Sequence, residues 1–573
     1  MLSLENVSLR LGPDEDAPRL LSGISGKFRR GEFVAILGPS GCGKSTLLKM
    51  IAGVSAGEGE GIVRWDGRDL AEEDFKPGEF GYVPQFSIAH EELTVEECVD
   101  YSARLRVSGM SDARREEMIT RLLAEVGLEE FRDRHAKVLS GGQRRRLALA
   151  MELVSSPPIL LCDEVTSGLD PESEDEIVNL LRKVAQDGNR LVLSVTHSLK
   201  HLLFYDAVVV LSKGVLAYAG KPELLTHYFQ VDDPGLVYSR LSSNDPEIWK
   251  NSWLELSTAY QREEEIASPA EPPADGEPPA AAGKKDFFAR PGLAGQFAVL
   301  VERRFKIFFR SHAQLWLQAG LVLGFPCLVA LFGWDGLPQI RNLSMGLGLN
   351  VVQQLTEARD FLVQGSMVGS LISGIVMFEV ILLTLMGANN SGREIAAERQ
   401  IFEKEKLSGL SPLSYVASKI LFLGALSAIQ SLWMGLFIHF TCAFPGDLPA
   451  QLLFLFLVNA AMTSVCLAIS SFMPTAEQAS MASIYLVGFQ LPLSGAVIAL
   501  PTWFGPLVRP FIAAYWSWSG MLQTLCQERY YDIVQMVIQT RLSDASLCVL
   551  VLAMHIALGL FLALQGCKKT RME

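Results

Sequence analysis

The sequence predicts two folds in one chain: an α/β domain over residues 1–230 and an all-α membrane domain of six helices over residues 313–573. Three observations carry this expectation. Short apolar runs such as Phe33-Val34-Ala35-Ile36-Leu37, Ile159-Leu160-Leu161-Cys162 and Leu191-Val192-Leu193-Ser194-Val195 alternate with helical stretches, the pattern of a parallel sheet covered by helices. Longer apolar stretches follow near 314–334, 366–388, 420–441, 451–473, 479–500 and 545–566, each able to cross about 30 Å of hydrocarbon as a helix. From Ile420 to Val508 there is no lysine or arginine.

The segments between these domains differ in kind. Residues 93–138 read as a helical insert with charged amphipathic stretches. Residues 231–286 read as a helical extension and a linker, where Glu263-Glu264-Glu265 precede Pro269, Pro272, Pro273, Pro278 and Pro279 among Ala, Asp and Gly. That composition buries too little apolar surface to fold. In residues 287–312, Arg303, Arg304, Lys306 and Arg310 interleave with Phe305, Ile307, Phe308 and Phe309, which suits an amphipathic connecting helix at the inner membrane surface. Residues 501–544 form an expected outer cap, with Trp503, Tyr515, Trp516 and Trp518 suited to an interface belt.

Charge orients the membrane domain. Arg303, Arg304, Lys306, Arg310, Arg393, Arg399, Lys404, Lys406, Lys419, Lys568, Lys569 and Arg571 flank one face, against Arg341, Arg359, Arg509, Arg529 and Arg541 on the other. The excess marks the first face as cytosolic. A net charge of −13 argues against a nucleic-acid partner, which needs a basic face. Nine scattered cysteines form no C-x-x-C pair, so neither a disulfide framework nor a cysteine metal site is expected. The opening Leu2-Ser3-Leu4-Glu5-Asn6-Val7 reads as a strand, not a cleavable leader. Asn342-Leu343-Ser344 would accept a glycan only in a secretory pathway. The compact N-terminus and short loops point to a bacterial inner membrane.

The chemistry lies in the first domain. Gly38-Pro39-Ser40-Gly41-Cys42-Gly43-Lys44-Ser45-Thr46 fits G-x-x-x-x-G-K-[ST] between an apolar run and a helix-forming stretch. In that context backbone N–H groups wrap the phosphates of ATP, Lys44 reaches the terminal ones and the Ser45 hydroxyl ligates Mg²⁺. Asp163 and Glu164 end a buried run, and alternation along a strand would send Asp163 to the metal shell and Glu164 to the attacking water. His197 closes the next apolar run, placed to touch the γ-phosphate. The expected fold class is thus an α/β P-loop nucleotide-binding domain followed by an all-α six-helix transmembrane domain. Cys42 and Cys162 fit as small residues in tight places; a sharper reading makes Cys42 an oxidant-sensitive block on ATP.

Leu139-Ser140-Gly141-Gly142-Gln143, with Gln85 in Tyr82-Val83-Pro84-Gln85 and Ser167-Gly168-Leu169-Asp170 after the acids, resembles the nucleotide-binding domain of ATP-binding cassette (ABC) transporters. The resemblance implies that Ser140, Gly141, Gly142 and Gln143 bind the γ-phosphate of ATP held by an opposite subunit, hence a dimer. It also implies that Gln85 joins Ser45 and Asp163 at Mg²⁺ and that Asp170 belongs to the nucleotide site. One departure is the missing aromatic near Leu9-Arg10-Leu11, where adenine is usually stacked, which leaves aliphatic side chains for the base.

The order of cassette then membrane domain is similar to the G subfamily, the white-pigment, sterol and multidrug type of half-transporter. Glu398-Arg399-Gln400-Ile401-Phe402-Glu403-Lys404-Glu405-Lys406-Leu407-Ser408-Gly409 resembles its E-R-x-x-F-x-R-E-x-x-x-G coupling segment, with Lys404 in place of arginine and Ser411 where tyrosine is common. The resemblance implies an ATPase that dimerises, as a homodimer or a heterodimer, in a lipid bilayer to export a hydrophobic or amphipathic small molecule or lipid. The alternatives are a membrane-anchored ATPase that passes force to a partner protein, and an importer of the same architecture. Glu379, midway along the second span, marks either a polar contact with Gln430, Asn459, Thr463 and Gln490 or the cargo path. Facing second and fifth spans, the latter with Phe489, Pro492 and Leu493, would line that path.

Overall fold

The computed structural model describes residues 1–12, 18–54, 57–76, 78–85, 88–267, 290–333 and 351–569. The proline-rich linker, Arg341, the Asn342 triplet and Arg571 lie outside the described residues. Packing divides the described residues into two units: those of 1–299 with 400–410, and those of 300–399 with 411–569.

Ten strands build the first unit: β1 Leu2–Arg10, β2 Arg19–Phe28, β3 Phe33–Leu37, β4 Glu58–Trp65, β5 Arg68–Asp69, β6 Phe80–Val83, β7 Ile159–Asp163, β8 Leu191–Val195, β9 Ala207–Ser212 and β10 Val215–Gly220. They form one sheet in the order β5-β4-β1-β2-β10-β9-β3-β8-β7-β6. β3, β7 and β8 are buried along their whole length, as parallel strands covered on both faces must be. Their register is continuous: Val34 pairs with Leu193, Leu193 with Leu161, and Leu161 with Tyr82.

The helices are α1 Lys44–Ile51, α2 Val95–Arg106, α3 Asp112–Glu125, α4 Gly141–Leu153 and α5 Pro171–Gly188, then α6 Leu225–Phe229, α7 Val237–Ser243 and α8 Pro246–Ala267. α2 starts where its sequence says it should, since the Thr94 side chain accepts from Glu97 N and the Glu97 side chain accepts from Thr94 N. Aromatic contacts hold the extension from α6 to α8 on β10, where Tyr218 meets Trp253 at 5.2 Å between ring centroids, and join α6 to α8, where Phe229 meets Trp249 at 5.0 Å.

α9 Leu293–Arg310 and α12 Arg399–Leu407 each run across the division between units; the remaining helices, α10 His312–Ala330, α11 Val351–Ser391, α13 Pro412–Cys442, α14 Leu448–Phe472, α15 Ala476–Leu493, α16 Gly505–Val508, α17 Ala513–Gln523, α18 Arg529–Val537 and α19 Ala545–Lys568, belong to the second. Among the described residues five helices are long and apolar enough to span a membrane: α10, α11, α13, α14 and α19. The fifth expected stretch, 479–500, differs. It forms α15, whose Glu477, Gln478, Ser480 and Ser483 dilute its apolar character, and the helix stops at Leu493. There Gly495 turns at φ 78, its carbonyl accepting from the Thr540 hydroxyl.

Two further expectations change. Arg304, expected to face the membrane surface, is buried: its guanidinium grips Glu394 at 2.6 Å and lies 4.2 Å from the Phe422 ring centroid. Lys419 joins it, 2.9 Å from Glu394 and 2.6 Å from Glu398. The aromatics of the expected cap also turn inward, with Tyr515, Trp516 and Trp518 of α17 all buried and Trp503 exposed. Each buried ring has a polar tie: Trp516 Nε1 donates to Arg509 O at 2.8 Å and Tyr515 Oη to Arg541 O at 2.9 Å.

The apolar helices are stitched by amides. Gln318 Nε2 donates to Asn390 Oδ1 at 3.0 Å, Asn390 Nδ2 to Gln430 Oε1 at 2.8 Å, and Gln430 Nε2 back to Gln318 Oε1 at 3.0 Å. Asn459 Nδ2 donates to Gln430 Oε1 at 3.0 Å, so α10, α11, α13 and α14 share one ring. This is the polar contact expected of Gln430, Asn459 and Thr463, made to Asn390 and Ser391 and not to Glu379; Gln490 instead accepts from Ala514 N. Glu379, 2% exposed, has no hydrogen bond or ion pair among the described residues. Because Gln430 is the hub, Gln430→Leu should destabilise the membrane unit by roughly 1–2 kcal/mol. Thermal denaturation in detergent checks this, with a lowered midpoint expected and an unchanged one contrary.

Candidate functional site

Every catalytic motif leaves the sheet at the carboxyl end of a parallel strand, and the four strands concerned, β3, β8, β7 and β6, are consecutive neighbours. That edge is where an open α/β sheet binds its ligand. The phosphate loop follows β3, Gln85 follows β6, Asp163 ends β7 and Glu164 follows it, and His197 follows β8.

The loop from Gly38 to Gly43 owes its shape to glycine. Gly38 sits at φ 148, and a Cβ there would collide with the Leu211 carbonyl oxygen and the Cys42 sulfur. Gly43 at φ 100 leads into α1, leaving N–H groups of Lys44, Ser45 and Thr46 at a helix N-terminus. Lys44 is buried, its Nζ donating to the carbonyls of Gly38 at 2.9 Å and Pro39 at 3.0 Å, which folds it over the loop. Ser40 and Gly41 stay exposed at the loop tip.

Ser45 Oγ donates to Asp163 Oδ1 at 2.7 Å, and Tyr82 Oη donates to Asp163 Oδ2 at 3.2 Å. Burial raises the Asp163 carboxyl above the usual range, against the opposing pull of the Ser45 and Tyr82 hydrogen bonds. Among the described residues no three His, Cys, Asp or Glu side chains cluster as metal ligands. The Ser45 hydroxyl and Asp163 carboxylate are nonetheless a hard oxygen pair. They fit Mg²⁺, which takes one or two protein ligands and fills its shell with water and phosphate.

Glu164 departs from strand geometry. Its φ of 48 is left-handed, so the two acids separate by a turn in the backbone and not by strand alternation as expected. The turn aims its carboxylate between two partners: Gln85 Nε2 donates to Oε2 at 2.9 Å, and His197 Nε2 lies 2.8 Å from Oε1. Gln85, Glu164 and His197 thus form one hydrogen-bonded row. Tyr238 of α7 backs it, Oη donating to His197 O at 3.3 Å.

The signature residues sit apart from this row. Ser140 caps α4, its Oγ accepting from Gln143 N at 3.3 Å while Gln143 Oε1 accepts from Ser140 N at 3.0 Å. Gly141 and Gly142 form the first turn of α4, Gly142 close enough to Ser173 that a Cβ would lie 3.0 Å from its Oγ. Asp170 caps α5, accepting from Ser173 N at 3.0 Å, and is exposed. Near the N-terminus, Leu9 is in the core while Leu11 is 53% exposed.

Sequence reasoning missed Tyr82 and Tyr238 as parts of the site. Tyr82 is a β6 residue whose role follows from β6 lying beside β7, and Tyr238 comes from an extension with no motif.

Two family models match the chain: ABC transporter over residues 21–167, then ABC-2 type transporter over residues 295–520. The chain belongs to the ABC transporter family. It is 31% identical over 420 residues to an ABC transporter ATP-binding/permease protein of Mycobacterium tuberculosis, covering 72% of this chain and 44% of that protein. Its cassette is 37% identical over 222 residues to ABC transporter G family member 13 of Arabidopsis thaliana, covering 37% of this chain and 32% of that protein. A sulfate/thiosulfate import ATP-binding protein of Pseudomonas putida is 34% identical over 224 residues, with 39% of this chain and 67% of that protein covered. The chain therefore spans less than half the length of the first two relatives.

Cys42 belongs to the loop yet is buried, and burial pushes its thiol up although the Lys44 charge pulls it down. A thiol kept protonated and covered reacts slowly. Alkylation of the intact transporter should label the exposed Cys327 and Cys526 and leave Cys42 unlabelled, as read by peptide mass mapping. Early labelling of Cys42 would restore the oxidant-sensitive reading.

Proposed function

We propose that the chain is an ATP-hydrolysing half-transporter of the G-subfamily type that dimerises to export a hydrophobic or amphipathic substrate, lipid-like or drug-like, across a bacterial inner membrane. The observation that carries the reading is the row Gln85–Glu164–His197 beside the pair Ser45–Asp163, in a chain that also has five apolar membrane-length helices.

Each group has a task in that reading. Backbone N–H groups of residues 41 to 46 cradle the phosphates, and Lys44 turns from the Gly38 and Pro39 carbonyls to the β- and γ-phosphates. Ser45 and Asp163, with Gln85, hold Mg²⁺, which when bound offsets phosphate charge. Glu164 orients and deprotonates the attacking water, and His197 holds the Glu164 carboxylate and meets the γ-phosphate. Ser140, Gly141, Gly142 and Gln143 cap the γ-phosphate of the partner copy, with Asp170 at the same interface. The helix-capping hydrogen bonds occupy the N–H groups of Ser140 and Gln143 and leave those of Gly141 and Gly142 to an anion. Membrane helices that bury amides among themselves and expose aliphatic side chains favour cargo with an apolar body.

Glu164→Gln keeps the Gln85 hydrogen bond and removes the base. ATP hydrolysis should fall by about 100-fold or more with ATP affinity retained. Turnover by the purified variant and nucleotide binding by filter assay check this, and near-normal turnover would remove Glu164 from the role. Export itself is tested in vesicles of known orientation, where ATP supplied to the cassette side should move a fluorescent amphiphile away from that side.

A further inference from the structure

β3 and β8 run side by side as parallel strands, and the last backbone hydrogen bond between them goes from Thr196 N to Ile36 O at 3.2 Å. Beyond it the two chains part. Gly38 opens the phosphate loop on one side, and His197 leaves β8 on the other. Among the described residues no backbone hydrogen bond joins these two loops again.

A side chain from outside the sheet bridges the gap. Tyr238, in the first turn of α7, donates from Oη to His197 O at 3.3 Å. The Gly38 N–H acts on the same oxygen as a hydrogen-bond donor. A hydroxyl can donate once and accept at its lone pairs, so both contacts are made together. Gly38 in turn accepts at its carbonyl from Lys44 Nζ at 2.9 Å, while the His197 imidazole lies 2.8 Å from Glu164 Oε1. One phenol hydroxyl thus stands between the residue that holds Lys44 and the residue that meets Glu164. It bonds to backbone on both sides and to no catalytic side chain among the described residues.

The place of Tyr238 is set locally. Asp233 Oδ1 accepts from Gly235 N at 2.6 Å and shapes the turn Pro234–Leu236 that leads into α7. Val237 and Leu241 share one face of α7 and are buried, and Ser242 Oγ donates to Tyr238 O at 2.9 Å. Burial pushes the Tyr238 hydroxyl up to about 12, with the Gly38 N–H pulling it down and the nearness of Cys42 adding to the rise. It therefore keeps its proton, and its capacity to donate, at neutral pH. A further contact at the His197 turn, from Ser198 N to Thr196 Oγ1 at 3.1 Å, stays within the turn and does not reach the phosphate loop. An imidazole is placed by its backbone and two side-chain torsions, so a loose His197 carbonyl lets the ring drift from Glu164. Displacements of about 1 Å are enough to cost large factors in rate.

We propose that Tyr238 is a positioning residue for ATP hydrolysis, its hydroxyl tying the His197 backbone to the start of the phosphate loop and so keeping the imidazole on Glu164. The inference rests on the reading of Glu164 and His197 as the hydrolytic pair. It gives the extension that bears α7, which carries none of the nucleotide motifs, a share in the chemistry.

The test measures phosphate release by the full chain in phosphatidylethanolamine–phosphatidylglycerol vesicles over a range of Mg-ATP concentrations. Tyr238→Phe removes the hydroxyl and leaves the ring. Its kcat should fall about fivefold, the scale of one neutral hydrogen bond, with KM for ATP changed by less than about twofold. Tyr218→Phe is the matched control, because Tyr218 lies in the same unit and its Oη also donates to a backbone carbonyl, that of Lys221 at 2.8 Å. It should keep native turnover, which separates loss of position from loss of stability. In a His197→Ala background, adding Tyr238→Phe should lower kcat no further, as expected of two residues that act as one unit. Native kcat in Tyr238→Phe, an equal fall in Tyr218→Phe, or losses that multiply in the double variant would overturn the inference. Native kcat in His197→Ala would instead overturn the reading of the pair on which it rests.

Discussion

The constraint on which the site depends is the parallel register of four adjacent strands, β6, β7, β8 and β3. Pairing Tyr82 with Leu161, Leu161 with Leu193 and Leu193 with Val34 aligns their carboxyl ends. Residues more than a hundred positions apart in sequence, such as Ser45 and Asp163, then share a hydrogen bond. A slip of one residue in any pair would send its side chains to the other face. The uninterrupted burial of β3, β7 and β8 makes such a slip costly. Function here is thus secured by core packing before any nucleotide contact is made.

The membrane unit solves a different problem. Its helices are too apolar for side-chain hydrophobicity to choose neighbours in lipid, so specificity falls to small sets of polar contacts. The amide ring of Gln318, Asn390, Gln430 and Asn459 satisfies its members across four helices. At one edge the ion cluster of Arg304, Glu394, Lys419 and Glu398 does the same with charge. Arg399 adds a third fastening, its Nη2 donating to the carbonyls of Ser470, Ser471 and Met473 at the end of α14. Glu379, by contrast, lacks any such partner among the described residues.

Much of this was legible in sequence because phosphate chemistry demands particular residues at short spacing. Gly38 to Thr46 is contiguous and needs no tertiary information, and its strand and helix flanks follow from apolar periodicity. What sequence hid is what depends on through-space neighbours. The left-handed turn at Glu164 puts a non-glycine residue where propensity disfavours it, so alternation along the strand gave the wrong reason for separating the two acids. Arg304 read as a surface cation because its counter-charge, Glu394, lies ninety residues away. The stretch 479–500 reads as one apolar run in composition, whereas α15 ends at Leu493 and a turn at Ser494-Gly495, fastened by Thr540, follows it. Tyr515, Trp516 and Trp518 suit a membrane interface by type, yet hydrogen bonds to Arg541 O, Arg509 O and Ser373 Oγ let them enter the core.

In the proposed dimeric reading, the signature cap at Ser140 serves the phosphate row of a second copy. The most direct measurement compares ATP turnover per chain in lipid nanodiscs loaded with one chain and with two. Turnover confined to discs that hold two chains is expected; equal turnover per chain in discs that hold one would contradict it.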